Sequence, residues 1–222
     1  MSTLTEACRC PVCATVFEAA SQTRTVSCPA CDALSRPRWL RHEPAMALRA
    51  AQAGRRADTW GRGVHLLVED VRSLWNVGSF FRSMDGLGGV HLFLVGICGI
   101  PPHDEIRRTA LGADETVSWS YRVGALPVIE EARTRGVPVI ALESTPGATD
   151  LQTAPRPPSA LVVVGNEVEG ISPEVLARCD THVHIPMRGH KASLNVAVAA
   201  GLALWHYGAS AEVPAEVPSG PP

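Results

Sequence analysis

The sequence predicts an α/β protein in which a mostly parallel sheet carries helices on both faces, with a small cysteine-rich module in front of it. Three observations lead there. Short apolar, β-branched runs alternate with helical stretches from residue 64 onward. Those runs are continuous rather than alternating, which is the pattern of strands covered on both faces. Five of the seven cysteines fall within the first 31 residues, while the rest of the chain has the composition of an ordinary globular domain.

The front module reads first. CPVC (Cys10, Cys13) and CPAC (Cys28, Cys31) are two knuckles separated by fourteen residues. Four thiolates on two tight turns are the ligand set of a tetrahedral structural zinc. Thr15-Val16-Phe17 and Thr25-Val26-Ser27 are expected to pair as a short hairpin within the spacer. Cys8 is an alternative to Cys10 as a ligand, and the sequence leaves the choice open. Nothing at the N-terminus reads as a secretion signal, which argues against a disulfide framework. So small a segment, residues 1–40, buries too little core to fold alone, so the metal would hold it together. Residues 41–62 are rich in Arg and Ala and predict a basic connecting helix with a loose end at Gly61-Arg62-Gly63. The chain as a whole has a net charge of −2, yet residues 1–63 hold nine arginines against five acids. Either this stretch meets phosphates, or it is a solvated helix.

From there the elements follow in order. Strands are predicted at 64–71, 90–96, 137–143, 160–165 and 182–186, and helices at 77–87, 104–111, 124–135, 173–179 and 193–207. Cys98 and Cys179 read as small buried residues. The tail, 208–222, lacks periodicity and predicts disorder. No apolar run approaches the ~20 residues of a membrane helix, so a cytoplasmic protein without a membrane partner is expected. In open sheets of this kind ligands sit beyond the carboxyl ends of the strands. The Gly-rich nucleotide-binding fingerprints are absent there. Instead, three polar loops follow the strands: NVGSFFR (76–82), GNEVEGIS (165–172) and IPMRGHKASLNVAVAAG (185–201).

Together these loops resemble the three motifs of the SpoU (TrmH-like) family of RNA ribose 2′-O-methyltransferases, within the SPOUT class. Asn76, Gly78 and Arg82 match the first motif. Gly165, Asn166, Glu167, Gly170, Ile171 and Ser172 match the second, and Ile185 through Ala199 match the third. RRTALGADE (107–115) resembles a mid-domain stretch of the same family, and the likeness spans about residues 63–207. Val168 departs from it, since many members carry Gly there. The resemblance implies a C-terminal trefoil knot, which periodicity alone does not reveal because threading is nearly absent from the usual rules of connection. It also implies S-adenosylmethionine held by Leu142, Gly165, Ile185, Met187 and Leu194, and a homodimer whose active site is shared between subunits.

For the chemistry, the resemblance implies Arg82, Asn76, Glu167, Ser193 and Asn195 as the catalytic set. Arg82 reads as a charged donor that fixes the substrate phosphate and polarises the 2′-oxygen, because a guanidinium is not deprotonated in proteins. Asn76 orients Arg82 or the ribose, and Glu167 anchors its loop or holds a donor. Ser193 stands where the last helix is predicted to begin and so reads as its N-cap as well as a site residue. The expected partner is RNA, either tRNA or rRNA. The competing reading is a non-catalytic RNA-binding adaptor that keeps the same fold.

Overall fold

The structure is a computed structural model that describes residues 5–10, 16–20, 25–35, 38–39 and 60–208. Cys13, most of the predicted connecting helix and the tail beyond Gly208 lie outside the described residues. In the front module β1 (Thr5–Arg9) pairs antiparallel with both β2 (Val16–Ala20) and β5 (Arg38–Trp39). Separately, β3 (Val26–Ser27) pairs with β4 (Leu34–Ser35). The expected pairing of residues 15–17 with 25–27 is therefore not formed. In sequence, each CPxC instead falls between the two strands of one antiparallel pair. Pairing segments that are near neighbours along the chain closes the shorter loops.

The main domain runs β6 (Gly63–Glu69), α1 (Leu74–Gly86), β7 (His91–Val95), α2 (Asp104–Ala110), α3 (Ala113–Thr116) and β8 (Trp119–Arg122). It continues α4 (Leu126–Thr134), β9 (Val139–Leu142), β10 (Thr149–Asp150), β11 (Ser159–Val164), α5 (Pro173–Leu176), β12 (Thr181–His184) and α6 (Val196–Gly208). The strands form one seven-stranded sheet in the order β10-β12-β9-β11-β6-β7-β8, and every pairing is parallel. No helix among the described residues is long and apolar enough to cross a membrane.

Strict alternation along the strands divides the core in two. Val64, Leu66 and Val68 of β6 and Leu92 and Leu94 of β7 face α1, α2 and α6, where Phe80, Phe81, Met84, Ile106 and Tyr207 are buried. Leu67, Phe93, Leu161 and Val163 face the opposite way, onto Val128, Ile129 and Ala132 of α4 and Val175 of α5. Both faces are thus covered, and continuous apolar runs are what such a sheet requires.

Several boundaries differ from expectation, the start of α1 at Leu74 instead of 77 among them. Strand β6 stops at Glu69 because Asp70 turns into the left-handed region (φ 55°) and its Oδ1 accepts the Ile97 N–H at 3.1 Å. Helix α5 is a single turn ending at Leu176, not at 179. The last helix starts at Val196, three residues later than predicted. Strands β8 and β10 and helix α3 were not foreseen, since WSYR mixes polar and aromatic residues at a sheet edge and the other two elements are very short.

Helix α1 meets α2 at Gly78, where a Cβ would fall 1.8 Å from Thr109 Oγ1 and 2.5 Å from the Ile106 carbonyl oxygen. The glycine of the first motif is therefore a packing requirement. Gly78→Ala should cost about 1–3 kcal/mol, the usual penalty of overpacking. Because one of the clashing atoms is backbone, adding Thr109→Ala should restore only part of the loss. Denaturant titrations of the single and double variants check this, and an unchanged midpoint for Gly78→Ala would contradict the tight contact.

Candidate active site

The three polar segments follow the carboxyl ends of β6, β11 and β12, and they meet around one carboxylate. Glu167, in the loop after β11, accepts the backbone N–H of Arg72 on Oε2 at 3.2 Å. Its Oε1 accepts the Ser73 N–H at 3.1 Å and the Asn76 side-chain amide at 3.0 Å. These donors belong to the start of α1, where unpaired N–H groups and the helix dipole both favour an anion. Partial burial by itself raises the Glu167 carboxyl, but the backbone N–H groups of Glu167, Arg72 and Ser73 and the Asn76 amide outweigh it. The net shift is downward, so the group is ionised at neutral pH.

The chain of contacts continues. Asn76, 9% exposed, offers its Oδ1 to the Asn195 side-chain amide at 3.1 Å. Asn195 Oδ1 in turn accepts the Ala197 and Val198 N–H groups at 2.9 and 3.3 Å. Asn195 is therefore the N-cap of α6, and the predicted capping role of Ser193 is corrected: Ser193 lies two residues upstream in the loop, too early to reach the helix's free N–H groups. One line of hydrogen bonds, Glu167 to Asn76 to Asn195, thus joins all three motifs.

The loop after β11 is braced from below. Asn166 donates to the Asp70 carbonyl at 2.7 Å and accepts the N–H groups of Val168 and Glu169. Val168, which departs from the motif, is 85% exposed and turns its side chain to solvent, so the loop accommodates it. Ser172 donates its N–H and hydroxyl to the two oxygens of Glu69, at 2.9 and 2.8 Å, and both residues are buried. Gly165 permits the close return of this loop, since a Cβ there would lie 2.2 Å from backbone atoms of Gly170 and Ile171.

Beside this network opens a cavity of about 290 Å³. All five residues expected to hold the cofactor (Leu142, Gly165, Ile185, Met187 and Leu194) line it, as do Glu167, Ser193 and Asn195. Asn76 stands behind Glu167. Arg82 does not line the cavity; it is exposed on α1, with no ion-pair partner among the described residues. Sequence reasoning missed Glu143, Ser144 and His184 in the lining, and Glu69 beneath it. The signal for Glu69 was present: an acid inside an apolar strand run is rarely buried without a partner.

In the front module Cys10, Cys28 and Cys31 bring their sulfur atoms within 4.8 Å of one another. Cys10 and Cys31 are 3.7 Å apart, sulfur to sulfur. The Ala30 N–H donates to Cys28 Sγ at 3.4 Å, and Asp32 turns left-handed (φ 55°) while donating its N–H to the Cys28 carbonyl. A knuckle of this shape holds its thiolates toward a shared point and suits a tetrahedral metal. Cys8, though buried, is outside the three-sulfur group.

Residues 63–205 match the model of the SpoU rRNA Methylase family. The chain is 28% identical over 145 residues to a Staphylococcus aureus protein named for the TrmH family of tRNA/rRNA methyltransferases, covering 65% of this chain and 58% of that one. It is 31% identical over 146 residues to the 23S rRNA (guanosine-2′-O-)-methyltransferase RlmB of Neisseria meningitidis, covering 63% and 55%. Among solved structures, an AdoMet-bound rRNA methyltransferase from Sinorhizobium meliloti superposes with a TM-score of 0.62 at 26% identity, over 65% of this chain and 55% of that one. The chain thus spans little more than half the length of these relatives.

The cap assignment has a direct check. Asn195→Ala should lower stability by about 1 kcal/mol, the usual cost of a lost N-cap. Ser193→Ala should stay within about 0.5 kcal/mol of the native protein, as exposed substitutions do. Equilibrium unfolding of both variants decides it, and the reverse ranking would return the cap to Ser193.

Proposed function

The chain belongs to the SpoU rRNA methylase family, and on that premise we propose that it transfers the methyl group of S-adenosylmethionine to a ribose 2′-hydroxyl of tRNA or rRNA. The observation that carries this reading is the Glu167–Asn76–Asn195 line of hydrogen bonds standing beside a cavity lined by all five residues expected to hold the cofactor. The cavity suits the nucleoside part of such a ligand, with Leu142, Val164, Ile185 and Leu194 as apolar walls and a polar rim. Bound there, S-adenosylmethionine supplies a methyl group already activated for transfer.

What remains for the chain is to align the 2′-oxygen and manage its proton. Asn76 and Asn195 hold the three loops in register, and Glu167 fixes the start of α1. Ser193, free of the capping role, offers its hydroxyl to the ligand. Arg82 supplies a fixed positive charge that anchors the substrate phosphate and polarises the 2′-oxygen. Since Arg82 lines no part of its own cavity, we assign it to the cavity of the second subunit in a homodimer. The exposed apolar stripe of Val198, Leu202 and Trp205 on α6 supports that assembly, because a monomer gains nothing from exposing it. The trefoil knot belongs to the same reading. Its support is the path of the chain, which leaves β12 near the sheet edge and returns across its carboxyl end to α6, packed on β11 and β6.

For the front module we propose one structural zinc on Cys10, Cys28 and Cys31, with Cys13 as the fourth ligand. The module and the arginines after it would grip RNA away from the target nucleotide. We place the protein in the cytoplasm, where thiols stay reduced and such RNA is found.

Arg82→Ala should abolish methyl transfer while leaving cofactor affinity nearly unchanged, because the guanidinium meets the acceptor and not the cofactor. Single-turnover assays with tRNA and rRNA, read by mass spectrometry of the nucleosides, test this together with the native activity. A native protein that binds RNA but yields no 2′-O-methylated nucleoside would favour the adaptor reading.

The metal prediction is separate. Freshly purified protein should contain one zinc per chain by elemental analysis, and Cys28→Ser should lose it. Chelation should leave S-adenosylmethionine binding intact, because no described residue of the front module lines the cavity. Metal-free native protein would refute the site.

A further inference from the structure

Two carboxylates line the cavity, and they stand in different situations. Glu167 already accepts three hydrogen bonds across its two oxygens. Glu143, directly after β9, has one oxygen engaged: Oε2 accepts the Ile171 N–H at 3.0 Å. That approach depends on Gly170 (φ +68°), where a Cβ would fall 2.5 Å from the same oxygen. The Glu143 backbone is also fixed, its N–H donating to the Val183 carbonyl at 2.9 Å. The carboxylate is thus held in place at the level of the strand ends, while Oε1 has no hydrogen-bond partner among the described residues. Among the described residues, no Lys or Arg lines the cavity.

A half-buried, preorganised carboxylate with one free oxygen, in a cavity whose described lining holds no Lys or Arg, selects a ligand that presents donors and repels one that presents phosphate. We propose that Glu143 is a specificity-determining residue of the cofactor site, and that its free oxygen accepts the cis-diol of the cofactor's ribose. This rests on the S-adenosylmethionine reading above and deepens it. The placement follows from depth. Glu143 adjoins Leu142, and Leu142, Val164 and Ile185 form the apolar floor suited to the adenine ring. The ribose is bonded directly to that ring, whereas the sulfonium and the ammonium lie further out along the ligand.

The test compares three ligands by calorimetry on the full chain, native and Glu143→Gln: S-adenosylmethionine, S-adenosylhomocysteine and 5′-methylthioadenosine. The first carries a sulfonium, the first two carry an ammonium, and all three carry the diol. Gln retains an oxygen for the Ile171 N–H, so thermal unfolding of the variant should match the native protein. A diol contact predicts that all three ligands weaken together, by about tenfold or more for the loss of a charge-assisted hydrogen bond. Loss confined to S-adenosylmethionine, or to the two ligands bearing an ammonium, would mean that the carboxylate reads charge and would overturn the proposal. A second measurement needs no variant: on the native chain, the 2′,3′-dideoxy analogue of 5′-methylthioadenosine should bind about tenfold more weakly than its parent, and equal binding would overturn the proposal. If the native chain binds none of these nucleosides, the cofactor reading itself fails. If it binds them and Glu143→Gln binds them equally well, only the role of Glu143 fails.

Discussion

Where the loop after β11 touches the start of α1, two backbone N–H groups and a side-chain amide converge on one carboxylate, that of Glu167. The rest of the site depends on this meeting. The helix end needs an acceptor, because its first N–H groups have none within the helix. The loop needs an anchor, because on its own it is a short excursion beyond a sheet. Each requirement satisfies the other, and the shift of the Glu167 carboxyl toward ionisation reports it. Asn76 passes the constraint on to Asn195, so the start of α6 is set by the same acid that sets the start of α1. One wall of the cavity therefore inherits its position from residues about 120 positions earlier in the chain.

Beneath the loops the sheet supplies rigidity of a different kind. Buried carboxylates are costly unless fully hydrogen-bonded, yet Glu69 sits in an interior strand with both oxygens engaged by Ser172. Glu143 does similar work two strands away through Ile171. The two acids tie the far end of the same loop to β6 and β9, while Glu167 ties its near end to α1. A loop held at both ends keeps the backbone around Gly165 at a fixed height above the cavity floor.

Much of the domain was legible in the sequence because its strands are buried on both faces, and unbroken apolar runs such as LVVV state this directly. The five cavity-lining residues were legible only through resemblance. Their side chains are unremarkable in type, and it is the chain path, not chemistry, that brings Leu142 and Leu194 together. Two things were misread for a physical reason. Ser193 looked like a cap because Ser caps helices well, but Asn195 is equally suited and lies next to the first helical residue. The hairpin expected between the knuckles failed because strand propensity at Val16 and Val26 says nothing about which neighbour each strand will choose. Glu143 carried no sequence signal beyond being an acid after an apolar run, and its role emerges only once Gly170 is seen to make room for it.

The sheet order has a consequence for how the protein is made. Strand β6 lies in the interior of the sheet with β7 on one side, and β7 follows soon after it along the chain. Its other neighbour, β11, does not begin until Ser159. During synthesis, at roughly 5–20 residues per second, the inner edge of β6 therefore stands open for several seconds, presenting unpaired backbone and apolar side chains of the kind that recruit stray strands. A chain interrupted between these two strands would be an adhesive fragment rather than a smaller folded domain. For this fold, translation speed through the middle third of the message bears on solubility as directly as any residue in the core.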